Sequence, residues 1–173
     1  MSKNKSHARP LRVTVACSLL VALSIVCGKF LQFPAGDVMR FSLENLPILF
    51  AGMVFGPLAG GLVGAVADLI GCLLVGYAIN PIVTIGAVVV GLVGGGVYRL
   101  AAKLPLGWKV AFAVVAAHLI GSVVIKTFGL AQFYSYPLGV VMLWRLLNYV
   151  IVGAAEAVLL AALLKNKTLR AML

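Results

Sequence analysis

Acidic residues are scarce in this sequence, which has 4 Asp and Glu residues against 14 Lys and Arg residues. Carriers driven by a proton or sodium gradient usually place several carboxylates near the membrane midplane, and the sequence offers only Asp68 and Glu156. The shortage therefore argues against an ion-driven carrier. The net charge of +10 would suit nucleic acid, but no basic stripe with interleaved aromatic residues occurs, so we expect no nucleic-acid partner.

Several catalytic and cofactor-binding patterns are also absent. Cys17, Cys27 and Cys72 lie in apolar segments without CxxC spacing, which favours small core residues over disulfide or metal partners. No GxxxxGK[ST] phosphate-binding loop occurs, so the chain has no visible means of using ATP, and we expect no bound cofactor. An intramembrane protease would carry a GxSG serine and a distant His. Ser122 and His118 lack that motif, and their spacing on one helix is more typical of packing.

Long apolar runs dominate the sequence, since 63% of the 173 residues are hydrophobic. A transmembrane helix needs about 20 apolar residues. The runs predict an all-α integral membrane protein, a single bundle of six transmembrane helices near residues 12–33, 43–56, 58–76, 82–102, 108–129 and 138–165. We expect one domain over residues 1–173, with short basic cytoplasmic tails at about 1–11 and 166–173. No A-x-A-like cleavage site follows the first run, so we expect it to be retained.

The distribution of basic residues predicts the orientation of these helices. Cytoplasmic loops carry an excess of Lys and Arg. Six crossings put both termini on one side, and most basic residues fall in the tails and loops of that side: Lys3, Lys5, Arg9, Arg12, Arg99, Lys103, Lys109, Lys165, Lys167 and Arg170. We therefore expect both termini to be cytoplasmic.

Small residues recur at four-residue spacing in two places. Gly52, Gly56, Gly60 and Gly64, and likewise Gly91 and Gly95, have the spacing that lets membrane helices approach closely. For these glycines we favour packing inside the bundle over a docking surface. The first helix carries a similar face at Thr14, Ser18 and Ala22, for which packing and docking to another membrane protein are equally open.

Polar side chains among aromatic residues predict a ligand pocket on the outer side. The candidate ligand-binding residues are Lys29, Phe30, Arg40, Asp68, Asn80, Thr84, Tyr136, Trp144, Arg145 and Asn148. An interfacial aromatic belt is the alternative, but the inner side offers only Tyr98 and Trp108, so a symmetric belt explains the outer excess poorly.

Arg145 and Glu156 are ionisable residues within the last apolar run. A charge at the bilayer centre costs about 2.5–3.5 kcal/mol on insertion scales, so each needs a partner or a cavity. Arg145 either binds an anionic ligand, for which its planar fork is suited, or pairs with Asp68 or Glu44. Glu156 is either a buried hydrogen-bonded acid or a contact to another protein.

The run "FSLENLPILFAGMVFGPLAGGLVGAVADLIGCLLVGYAINPIVTIGA" resembles the substrate-binding S components of energy-coupling factor (ECF) transporters, especially the folate type. The family pattern matches Leu46–Gly52, Phe55–Pro57, Gly60, Val63–Gly64, Asp68–Leu69 and Gly71. Lys29–Phe30 and the segment around Arg145 are also similar to family features. Folate-type chains often have Arg where this chain has Lys29, and a "PGFT"-like sequence in place of "NPIVT".

The resemblance implies a transport subunit rather than an enzyme. Such a subunit would lie in a prokaryotic cell membrane, bind folate with high affinity, and dock on one membrane coupling protein with two ABC ATPases. Thr14, Ser18 and Ala22 would contact the coupling protein. Pantothenate and a queuosine precursor remain open as alternative ligands.

Overall fold

The computed structural model describes residues 4–34, 40–135 and 137–166, and the described chain is almost entirely helical. The helices are α1 (Asn4–Ile25), α2 (Asn45–Val54), α3 (Pro57–Val75), α4 (Pro81–Leu100), α5 (Leu106–Ala117), α6 (Lys126–Tyr134) and α7 (Leu138–Lys165). A π-helical turn, Val26–Phe30, continues α1, and a second π-helical segment, His118–Ile125, joins α5 to α6. After α1, β1 (Phe33–Pro34) pairs antiparallel with β2 (Arg40–Phe41), with Phe33 opposite Phe41.

Five of the helical segments are long and apolar enough to cross a membrane: Leu11–Phe30, Pro57–Val75, Pro81–Leu100, Leu106–Phe133 and Leu138–Lys165. The prediction of a helical membrane bundle is therefore confirmed. The second predicted span is shorter than expected, because α2 has 10 residues and rises only about 15 Å at 1.5 Å per residue. The first helix begins at Asn4, within the segment we expected to be a tail.

Local sequence explains where α2, α3 and α4 begin and end. Gly56 has a φ of 114°, which a side chain would oppose, and Pro57 starts α3 at a position where its missing N–H is not needed. Asn80 caps α4 because its Oδ1 accepts hydrogen bonds from the N–H groups of Ile82 (3.0 Å) and Val83 (3.4 Å). These signals place the helix boundaries near the predicted ones.

Helices α2, α3 and α4 approach so closely that their backbones touch at glycines. A Cβ built on Gly91 would lie 2.1 Å from the carbonyl carbon of Gly60, and one on Gly52 would lie 2.6 Å from the carbonyl oxygen of Gly91. Real Cβ atoms essentially never approach within 3.0 Å of another heavy atom. The contacts support the packing interpretation of the glycine pattern.

Hydrogen bonds between helix ends define one end of the bundle. The Ser24 hydroxyl, near the end of α1, donates to the Glu44 carbonyl before α2 (2.7 Å). The Asn80 amide, at the start of α4, donates to the carbonyl of Gly129 in α6 (2.8 Å). We call this end, where α1, α3 and α6 finish and α2, α4 and α7 begin, the polar end. The opposite end contains residues 55–56 and 101–105 and the last turn of α7.

Candidate functional site

A cleft at the polar end is lined by α1 with its π-helical turn, Glu44, and parts of α2, α3, α4 and α6. It contains about 280 Å³ of empty space, part of which is open solvent. Four ionisable residues line it: Lys29, Glu44, Asp68 and Lys126. Sequence analysis named Lys29 and Asp68 as ligand-binding candidates. It considered Glu44 only as a partner of Arg145 and did not select Lys126.

Lys126 and Glu44 form an ion pair within the cleft. The Lys126 Nζ lies 3.0 Å from Glu44 Oε1 and 3.5 Å from Asn45 Oδ1. Lys126 is buried, whereas the Glu44 side chain is 30% exposed. A Cβ on Gly28 would lie 2.9 Å from Glu44 Oε2, so the absence of a side chain at Gly28 leaves room for this carboxylate. The pair joins α6 to the start of α2 beside α1.

Asp68 and Lys29 lie in the same cleft, with different partners. The Thr84 hydroxyl donates to Asp68 Oδ2 (2.6 Å), which links α3 to α4. The Lys29 Nζ lies 5.5 Å from the ring centroid of Tyr77, and its side chain passes over Gly71. Within the described residues no carboxylate lies within 4.0 Å of the Lys29 ammonium. Lys29 is therefore a cation at the cleft without an ion-pair partner among the described residues.

Arg145 lies on α7 at the polar end but does not line this cleft. Its Nη2 donates to the Tyr149 hydroxyl (3.1 Å), and its guanidinium carbon lies 5.4 Å from the Tyr149 ring centroid. The alternative that Arg145 pairs with Glu44 or Asp68 is not supported, because no carboxylate of the described residues lies within 4.0 Å of it. Those acids interact with Lys126 and Thr84 instead.

The remaining candidates are not brought together in the cleft. Asn80 is buried, and both its amide nitrogen and its amide oxygen are hydrogen-bonded to the backbone, so the structure gives it a capping role. Phe30 is 67% exposed, Trp144 is exposed and Asn148 is buried, and these three lie outside the cleft lining. The backbone of Arg40 pairs in β2, but its side chain, like all of Tyr136, lies outside the described part of the chain. The ligand roles of these residues stay predictions.

A second polar group lies buried between the second π-helical segment and α7. We call His118, Ser122, Tyr149 and Glu156 the His–Glu cluster. His118 Nε2 lies 2.5 Å from Glu156 Oε2, and its Nδ1 lies 3.2 Å from Ser122 Oγ. The Tyr149 ring stacks on the His118 ring, with centroids 4.7 Å apart. Sequence analysis considered His118 and Ser122 together and Glu156 separately, and did not connect them; their common signal was a polar group within an apolar run.

The Ser122–His118–Glu156 arrangement has the order of a serine-hydrolase triad. Ser122 and Glu156 are fully buried and His118 is 4% exposed, and none of the three lines the cleft. A substrate has no path to this serine in the described structure. Glu156 is thus the buried hydrogen-bonded acid of the two alternatives.

The face of α1 predicted to dock lies on the outside of the bundle. Thr14, Ser18 and Ala22 are all exposed, and the Ser18 hydroxyl donates to the Thr14 carbonyl (3.0 Å). Exposed Val15 and Leu19 lie beside them. The face therefore consists of small side chains bordered by apolar ones, and it is accessible along about two helical turns.

The sequence matches one family over nearly its whole length. A family model described as ECF-type riboflavin transporter, S component, matches residues 10–169. A curated relative, the "Folate transporter FolT" of Clostridium novyi (strain NT), is 30% identical over 66 residues. That alignment spans 38% of this chain and 38% of the relative's length.

Three solved structures share the fold. A crystal structure of FolT bound with folic acid has a TM-score of 0.71 at 22% identity and covers 87% of this chain and 94% of its own. The S component of a bacterial ECF transporter has a TM-score of 0.66 at 19% identity, covering 91% and 99%. An S component for biotin has a TM-score of 0.67 at 16% identity, covering 96% and 95%. The chain therefore belongs to the family of ECF transporter S components, which are multi-pass membrane subunits of transporters and not enzymes.

Proposed function

We propose that this S component binds folate for import by an ECF-type ABC transporter. The observation that carries the proposal is the presence of opposite charges in one cleft, where Lys29, which has no ion-pair partner in the described structure, lies with Asp68. Folate offers an amino-substituted pteridine and two glutamate carboxylates, so it needs both an acceptor and a cation. The folate transporter relative and the folic-acid-bound structure support this choice.

The residues at the polar end suit the two halves of folate. Asp68 would accept a hydrogen bond from the pteridine amino group, with Thr84 holding the carboxylate in place. Lys29 and Arg145 would bind the glutamate carboxylates, Arg145 through two parallel N–H groups. Exposed Phe30 would stack on an aromatic ring of the ligand.

Riboflavin is the second candidate, because the matching family model is described by that vitamin. Riboflavin has no carboxylate. A site built for it would leave the charges of Lys29 and Arg145 without a ligand partner at the membrane, which is unfavourable. The two cations without ion-pair partners in the described structure therefore favour folate.

Transport would require separate subunits. The exposed Thr14, Ser18 and Ala22 would form the surface on which the membrane coupling protein docks, and two ABC ATPases would supply the energy. The opposite end carries four basic residues, Arg99, Lys103, Lys109 and Lys165. None of the described acids, Glu44, Asp68 and Glu156, lies in the loops or the last turn of α7 at that end. By the positive-inside rule that end and both termini would face the cytoplasm, leaving the polar end open to the outside.

Ligand titration of the purified protein in detergent tests the proposal. We expect folate to bind and to be displaced by neither riboflavin nor biotin. Lys29→Ala should weaken folate binding by about tenfold or more, since a charged hydrogen bond contributes ~1.5–3 kcal/mol. Lys109→Ala is a matched control, because that lysine also lies over a tyrosine ring (Tyr98, 3.9 Å) but at the opposite end. Tight riboflavin binding without folate binding would reject the assignment.

A further inference from the structure

The His–Glu cluster is an unfavourable arrangement for an apolar bundle. Glu156 is fully buried within the bundle, and its Oε1 has no hydrogen-bond partner in the described part of the chain. A buried polar atom without a partner is costly, and apolar residues of similar volume usually fill such a space at least as well. The cluster therefore calls for an explanation other than packing.

The cluster is connected to Arg145 through one ring. Tyr149 stacks on His118 with an interplanar angle of 25°, and the Arg145 guanidinium lies 5.4 Å from the same ring. The Tyr149 hydroxyl also accepts the hydrogen bond from Arg145 (3.1 Å). The Arg145 Nε is shielded from solvent and has no partner among the described residues. Tyr149 thus provides the contacts that define where the guanidinium lies.

His118 is held on both sides. One ring nitrogen contacts Glu156 and the other contacts Ser122, so the plane of the imidazole is defined by two side chains. A ring held in this way is a rigid support for the ring stacked on it. Rigid support matters for Arg145 because a two-pronged contact with a carboxylate requires the right plane as well as the right distance.

We propose that His118 and Glu156 are positioning residues, which hold Tyr149 and through it orient Arg145 toward an anionic group of the ligand. The proposal rests on the function proposed above, since it assumes a ligand with a carboxylate. Holding the guanidinium before the ligand arrives removes part of the ordering entropy of binding. The cluster acts on affinity without touching the ligand.

The test compares folate with its dimethyl ester, which has the same ring system but neither negative charge. We expect His118→Gln, which removes the ring, to weaken folate binding by about two- to tenfold and to leave ester binding nearly unchanged. Glu156→Gln and Tyr149→Phe should act in the same direction. Leu160→Val, equally buried on α7 but outside the cluster, should lower thermal stability without changing the folate-to-ester ratio.

A double-mutant cycle distinguishes positioning from structure. If His118 acts through Arg145, adding His118→Gln to Arg145→Ala should weaken folate binding no further. Equal losses for both ligands, or additive losses in the cycle, would overturn the proposal. If His118→Gln does not fold, Glu156→Gln, which keeps the volume of the side chain and leaves His118 in place, carries the same comparison.

Failure of the folate assignment would be seen separately, as wild-type protein that does not bind folate. The same cycle can then be measured on the thermal midpoint of the ligand-free protein. A less-than-additive shift for His118→Gln and Arg145→Ala would support the connection through Tyr149, and an additive shift would refute it.

Discussion

Replacing Gly91 by alanine would test how tightly α3 and α4 are packed. The new Cβ would lie 2.1 Å from the carbonyl carbon of Gly60, 2.3 Å from its oxygen and 2.5 Å from the nitrogen of Gly61. All three are backbone atoms, so no flexible side chain can move aside. The helices would have to separate by roughly an ångström to restore the 3.0 Å that real Cβ atoms keep.

The expected magnitude follows from two opposing effects. Overpacking a close contact typically costs ~1–3 kcal/mol, and a backbone clash belongs at the upper end. Alanine in place of glycine gains about 1 kcal/mol of helix propensity. We expect a net loss of about 2 kcal/mol, which corresponds to a fall of roughly 4–8 °C in the thermal midpoint for a chain of this size.

Circular dichroism of the protein in detergent would measure this midpoint on heating. Gly96→Ala is the matched control, because it lies on the same helix and its Cβ would meet nothing within 4 Å. That variant should be as stable as the wild type or slightly more so. If Gly91→Ala and Gly96→Ala have the same midpoint, the close approach of α3 and α4 is wrong.

The separation of α3 and α4 in this variant should also change the geometry of the cleft. Asp68 on α3 and Thr84 on α4 are joined across this interface by the 2.6 Å hydrogen bond. Moving the helices apart would stretch that bond, so Gly91→Ala should weaken ligand binding as well as stability. Gly96→Ala should leave binding unchanged.

Further predictions concern the ion pair, the ligand, the docking face and the source of energy. Lys126→Met should destabilise the protein by about 1–3 kcal/mol. This cost is smaller than that of breaking a fully buried ion pair, because Glu44 is partly exposed. Adding Glu44→Gln should restore most of the thermal midpoint. Arg145→Ala should weaken folate binding about ten- to a hundredfold while leaving the dimethyl ester little affected, and Arg145→Lys should recover only part. Equal loss for both ligands would make Arg145 structural. Ala22→Trp should leave folate binding intact but abolish uptake by the complete transporter, so surviving uptake would locate docking elsewhere. Proteoliposomes containing this chain alone should bind folate without accumulating it, a result that accumulation would contradict.

The sequence by itself determined the class of the fold and most helix boundaries. Apolar run length depends only on composition along the chain, and so does the break at Pro57. The family resemblance and the location of polar residues at one end of the bundle could also be recognised from the sequence. The length of α2 was overestimated, because composition does not distinguish apolar residues within a helix from apolar residues that flank it.

Only the tertiary structure decided which side chains meet. Lys126 pairs with Glu44 across 82 residues, and Glu156 meets His118 across 38. The sequence predicted neither pair, and offered Arg145 as a partner of Asp68 or Glu44 only as one of two alternatives. Such pairs depend on the rotation of each helix about its axis, which composition does not specify. Two π-helical segments, one containing Lys29 and one ending just before Lys126, change that rotation further. The charges of the site were therefore visible in the sequence, while their partners depended on how the helices pack.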